Sequence, residues 1–115
     1  MDSYCLAYGQ IEKSLSWPDL RQLFPYGRFW KSSYYRGSQY LQLEDVATSR
    51  ITFEKTEDDI LLSGEAETPE LLSSICQAAS ATLSGHHIRH RIELYDTAQI
   101  LYDYFHHAWP QEPST

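Results

Sequence analysis

All five histidines of the chain, His86, His87, His90, His106 and His107, fall between Gly85 and Trp109. Imidazole can ligate a metal, carry a proton or make a pH-sensitive contact, so this stretch is the first place to look for chemistry. After Gly85 the residues Ile88, His90, Ile92 and Leu94 alternate with Arg89, Arg91, Glu93 and Tyr95. A second apolar run covers Ile100 to His106, and Asp96-Thr97-Ala98 lies between the two, the pattern of a hairpin. Pairing Tyr95 with Gln99 sets Arg91 opposite Asp103, Ile92 opposite Tyr102 and His90 opposite Tyr104. His87 then faces His107, and His90 neighbours His106. A slip of one residue would bring Asp103 onto the apolar face beside Ile92, where an unpartnered carboxylate is costly.

That arrangement makes His87, His90, His106 and His107 the metal-ligand candidates. No spacing among them matches a zinc pattern, and no cysteine accompanies them. HHIRH also lacks the glutamate of a metalloprotease helix and follows a helix-ending glycine. Histidines bonded to backbone or solvent are therefore the stronger reading, and neither metal nor cofactor is expected. Of the two thiols, Cys76 sits on an apolar helix stripe and reads as core. No nucleophile elbow, P-loop or dinucleotide fingerprint occurs. Glu93, Asp96 and Asp103 could serve as acid and base, but hairpin carboxylates are mostly solvated or paired with arginine.

A different constellation lies upstream, in FPYGRFWKSSYYRGSQY. Phe24, Tyr26, Phe29, Trp30, Tyr34, Tyr35 and Tyr40 are interleaved there with Arg28, Lys31 and Arg36, and no acid occurs from Arg21 to Leu43. Rings with guanidinium groups between them supply stiff contact area and cation–π partners, the mixture found in binding hot spots. One inward face of a small sheet cannot hold so many rings, so strand alternation leaves about half of them outside. Arg28, Trp30, Lys31, Tyr34, Tyr35 and Arg36 are the expected partner-binding residues. Trp30 with Tyr34, and Tyr35 with Lys31, are the alternative exposed sets.

The elements that must carry these residues follow from local signals. In Asp2–Ser14 the spacing is ambiguous: Tyr4, Ala7, Tyr8 and Ile11, with Leu15 beyond, fall at helical spacing, while Gly9 interrupts and Tyr4–Tyr8 also fits a short strand; the segment is read as a helix. Ser16 and Asp19 form a capping pair around Pro18, which predicts a short helix from Trp17 to Phe24. Strands are expected over 29–36, 39–44, 50–54 and 60–66, with a turn at Gly37-Ser38. A second hairpin sets Phe53 opposite Leu62 and Ile51 opposite Gly64. Thr68, Pro69, Glu70 and Gly85 delimit a long helix whose stripe is Leu71, Leu72, Ile75, Cys76, Ala79 and Leu83.

The whole is expected to be a single α+β domain over 1–109, with an antiparallel sheet of about five or six strands. One long helix packs on a face, short helices stand at the N-terminus, and the tail 110–115 frays. A formal charge of −7, from 16 acids against 9 bases, disfavours general duplex binding. The N-terminus shows no basic start and no long apolar run, so neither a signal peptide nor a membrane span is expected. With only two cysteines, a reduced cytoplasmic protein is the expectation. In size, charge and alternation of helices and strands the chain is broadly similar to small acidic chaperones of bacterial secretion systems, a likeness of fold alone. These features point to a non-enzymatic binding or adaptor protein that contacts another protein and can self-associate. A small metal protein or enzyme using the C-terminal histidines is one alternative. Single-strand nucleic-acid binding, with bases stacked on Trp30, Tyr34 or Tyr35, is the other.

Overall fold

The computed structural model describes residues 4–11, 15–25, 27–31, 39–44, 49–55 and 60–109, with the backbone alone at 28–31, 39–42 and 44. In chain order the elements are β1 (Cys5–Ile11), α1 (Trp17–Leu23), β2 (Arg28–Lys31), β3 (Gln39–Glu44) and β4 (Ser49–Lys55). There follow β5 (Ile60–Ala66), α2 (Pro69–Gly85), β6 (His90–Tyr95) and β7 (Leu101–His107). The strands form one antiparallel sheet of seven in the order β2-β3-β4-β5-β1-β6-β7. This is an α+β architecture. The strand beyond the expected five or six is β1, in the segment whose spacing reads as helix.

β1 is a strand because its surroundings override its local pattern. Cys5, Ala7, Gly9 and Ile11 are buried in alternation with Leu6, Tyr8 and Gln10, and the strand lies between β5 and β6. Gly9 is required there: a Cβ would collide with the Arg91 carbonyl oxygen of β6. One short helix therefore precedes β2. In α1, Ser16 Oγ accepts from the Asp19 amide at 3.2 Å, and the Asp19 carboxylate accepts from the Ser16 amide at 3.4 Å, closing the capping box.

β5 and β6 each run antiparallel to β1, hence parallel to each other, so the connection between them must cross the sheet. α2 is that crossover, and it packs over β4, β5, β1, β6 and β7. Leu72, Ile75, Cys76, Ala79 and Leu83 meet Cys5, Ala7, Leu62, Ile92 and Leu94 in a continuous core. Each large aliphatic side chain removed from water contributes roughly 1.5–3 kcal/mol. α1 adds Leu20 to the same core, and Phe24 stacks on Phe53 at 5.2 Å between ring centroids. Both helices lie on one side of the sheet.

Register matches expectation where the hairpin is short and differs where side chains intervene. Phe53 pairs with Leu62 and Ile51 with Gly64, as the apolar alternation predicts. Lys31 pairs with Gln39, a register incompatible with a two-residue turn at Gly37-Ser38, and 32–38 lies outside the described residues, as does the tail 110–115. In the last hairpin His90 pairs with His107, Arg91 with His106, Ile92 with Phe105 and Leu94 with Asp103, not the expected partners. The cause is Asp96, whose Oδ1 accepts the amides of Ala98 and Ile100 at 2.9 and 3.0 Å. That carboxylate moves the loop forward, Gln99 takes a positive φ of 63°, and an irregularity at Leu94/Tyr95 completes the shift.

α2 ends on a pair of interleaved bonds: the Ile88 amide donates to the Leu83 carbonyl at 2.9 Å and the His87 amide to the Ser84 carbonyl at 3.0 Å. Buried Ile88 and Leu83 belong to the same core. The residue that turns left-handed is His87, at φ 59°, and not Gly85. An L-residue pays roughly 1 kcal/mol for that conformation. His87→Gly is accordingly expected to raise stability by about 1 kcal/mol in urea unfolding, with an unchanged slope; a loss of stability would contradict this account of the helix end.

Candidate functional site

With both helices on one side, the opposite side of the sheet carries no helix among the described residues. Tyr8 stands near its centre, 51% exposed, paired across the strands with Ser63 and Glu93. Its ring lies 6.1 Å from that of Tyr95, and Leu6 is the cross-strand partner of Tyr95. Further along the same side, Tyr104 stacks on His106 with centroids 4.9 Å apart. Shallow grooves flank Tyr8: one is lined by Leu6, Tyr95, Asp96 and Gln99, another by Gln10, Leu61, Ser63, Arg91 and Glu93.

The charges of this face answer one another. Arg50 Nε lies 3.2 Å from a Glu65 carboxylate oxygen, and an Arg91 guanidinium nitrogen lies 3.2 Å from Glu93. Arg91 also donates twice to Gln10 Oε1, at 3.0 and 2.8 Å. The exposed Arg50–Glu65 pair contributes little stability, in the range of about 0–1 kcal/mol, whereas the Arg91–Glu93 pair is largely buried. What remains for contact is aromatic and aliphatic area with hydroxyl groups at its rim.

The expected partner-binding residues divide. Backbone pairing places Arg28 in the cross-strand row of Gln42, Thr52, Ser63, Tyr8, Glu93 and Tyr104. Trp30 falls in the row of Tyr40, Glu54, Leu61, Gln10, Arg91 and His106. Both rows run through the open face. Lys31 instead shares the row of Lys55 and Ile60, and Phe24 has gone into the core. Tyr34, Tyr35 and Arg36 lie outside the described residues.

The histidines are brought close but not into a ligand set. His107 rings lie 6.2 Å from His87 and 6.4 Å from His90. Among the described residues no three His, Cys, Asp or Glu side chains converge as a metal would need. His90 has both nitrogens engaged. A carbonyl can only accept, so Nδ1–H donates to the Ile88 oxygen at 2.9 Å, and Nε2 accepts from the Ser80 hydroxyl at 2.7 Å. That buried pair fixes the neutral imidazole, and burial above all, with lesser help from His107 and His106, lowers its pKa below 6.5. His106 stacks with Tyr104, and near the end of β7 the Arg89 guanidinium sits 4.1 Å above the Trp109 ring. Cys76 is inert as a nucleophile, since burial first and Asp103 second push its thiol up to about 12.

Spacing did not single out Tyr8 with Tyr95 and Tyr104 because Tyr8 stands on β1, far in sequence from the β6–β7 hairpin that carries the other two. The detectable signal was the period-two alternation of Cys5, Ala7, Gly9 and Ile11. For His90 the consequence is acid sensitivity. Above pH 6.5 both states hold a neutral imidazole; as pH falls below that value the unfolded chain takes up a proton that the folded one resists, and stability drops by up to about 1.4 kcal/mol per pH unit. Thermal melts between pH 7.5 and pH 5.5 should show a fall that is smaller in His90→Gln, and an equal fall in both proteins would refute the assignment. Comparison with protein-family models, with curated proteins and with solved structures yields no match.

Proposed function

We propose that the chain is a non-enzymatic binding module that contacts another protein through the open face of its sheet. The observation that carries this reading is the one-sided cover: α1 and α2 share a side, and Tyr8 stands 51% exposed on the other. Tyr95, Leu61 and Leu101 extend the same surface, with Leu61 and Leu101 each 38% exposed. Tyrosine offers large contact area with few torsions to immobilise, together with a hydroxyl for orientation. By backbone register Arg28 and Trp30 belong to rows that cross this face. Two buried free thiols suit a reducing cytoplasm as the setting.

The pairing of Arg50 with Glu65 and of Arg91 with Glu93 favours a protein partner over a nucleic-acid strand, because phosphates need cations that are not already neutralised. The partner expected is a segment with apolar or aromatic side chains that can lie against Tyr8 and fill the flanking grooves.

The test is a photocrosslinking amino acid placed at position 8, compared with one at exposed Gln77 on α2, in the cell that makes the protein. Position 8 should capture a defined partner and position 77 should not. Tyr8→Ala should weaken binding of that partner by at least about 2 kcal/mol, roughly thirtyfold, with thermal stability nearly unchanged. Equal capture from both positions, or unchanged affinity in Tyr8→Ala, would remove the open face as the contact surface.

A further inference from the structure

β7 ends the sheet: it pairs with β6 on one side and, among the described residues, with no strand on the other. A free strand edge is a template for another strand, and proteins usually blunt it with lysine, proline or a bulge. β7, LYDYFHH, contains neither lysine nor proline. Its irregularity falls near the start, which leaves Asp103–His107 in unbroken register with β6. The strand ends sharply at Ala108, whose φ is 56° and whose carbonyl accepts from Arg89 Nε at 3.1 Å. What the edge presents is therefore a short, regular segment, in which the Tyr104 amide donates to the Asp103 carboxylate at 2.9 Å.

We propose that this edge pairs antiparallel with β7 of a second copy of the chain, joining the two sheets across a two-fold axis at Phe105. Two-fold symmetry admits only registers in which some residue faces its own copy, and the charge of Asp103 chooses among them. Centring on Asp103 sets carboxylate against carboxylate. Centring on Tyr104 sets Asp103 against Phe105, and centring on His106 leaves Asp103 beyond the end of the neighbouring strand. Only the axis at Phe105 sets Asp103 opposite His107 of the second copy, with Tyr104 opposite His106 and Phe105 opposite itself.

The side chains already lie on the required sides. Asp103 and His107 pair with Leu94 and His90, both buried on the helix side, so each points to the side where the other copy would present its counterpart. Asp103 accepts from Ser73 Oγ at 3.5 Å and, on its other oxygen, from the Tyr104 amide at 2.9 Å, and the remaining lone pairs of the carboxylate leave room for a further donor. Tyr104 and His106 already stack at 4.9 Å within one chain, so the same ring pair suits the joint between copies. A foreign strand would have to bring its own imidazole or cation opposite Asp103, whereas a second copy carries it at the matching place. The pairing lies in the plane of the sheet, so it leaves the open face accessible and does not depend on what that face binds.

Sedimentation equilibrium should show the mass rising from 13.4 kDa toward twice that value as concentration increases. His107→Asp places like charges opposite each other twice per dimer and should weaken association about tenfold, and the exchange Asp103→His with His107→Asp should restore it. A geometric test stands beside the energetic one. Under mild oxidation Phe105→Cys, at the axis, should form a disulfide-linked dimer much faster than Tyr104→Cys, because only the first faces its own copy at a distance a disulfide can span. A wild-type chain that stays monomeric at its solubility limit overturns the proposal. So does a dimer in which Phe105→Cys crosslinks no faster than Tyr104→Cys.

Discussion

The fold depends on the insertion of β1 between β5 and β6. Those two strands run parallel, one strand apart, so α2 must cross β1 to connect them, and small residues line the crossing. β1 offers Cys5, Ala7 and Gly9, its neighbour β5 offers Gly64 and Ala66, and α2 answers with Cys76, Ala79 and Ser80. A Cβ on Gly64 would already sit 3.2 Å from that of Ala7. The contacts are also remote in sequence, since residues 5–11 are held between 60–66 and 90–95. The core closes only when both ends of the chain are in place, and among the described residues the helices cover one side alone, with Tyr8 on the other.

Local signals were enough wherever the physics is local. Ser16 with Asp19, and Thr68 with Pro69, start helices through bonds made within a few residues, so α1 and α2 could be read directly from the sequence. The β4–β5 register follows from the apolar side chains of Ile51, Phe53 and Leu62 brought together by a short link. β1 is the opposite case. Tyr4, Ala7, Tyr8 and Ile11 fit a helix as well as a strand, and the decision is made by Gly9 lying against the Arg91 carbonyl, a contact with a residue far along the chain. Propensity yields there to the requirement that two strands have a third between them.

The last hairpin shows how one side chain can override a pattern. The cost of burying a lone carboxylate was a sound reason to keep Asp103 off the apolar side, but Asp103 is not alone. Ser73 on α2 donates to it, and the Tyr104 amide donates to its other oxygen at 2.9 Å. Asp96 meanwhile gathers two loop amides and sets the loop length. Neither bond is visible as a hydrophobic period. The rings of the open face were hidden for a related reason: they are dispersed over β1, β6 and β7, while the conspicuous run of rings begins with Phe24, which the core absorbs onto Phe53.

The two sides of the sheet treat polarity in opposite ways, and that difference determines what each can do. Under the helices every buried side-chain polar atom among the described residues has a partner: His90 holds Ser80 and Ile88, and Ser49 reaches the Leu71 carbonyl. The half-buried Tyr102 hydroxyl donates to the Pro69 carbonyl on the same side. Such groups are committed to the fold, and satisfying them fixes one arrangement of α2 over the strands. On the open side Arg50 pairs with Glu65 and Arg91 with Glu93, and the rings of Tyr8 and Tyr95 lie against each other, as do those of Tyr104 and His106. The helix side is fixed by bonds inside the fold, while the open side keeps Tyr8 half exposed.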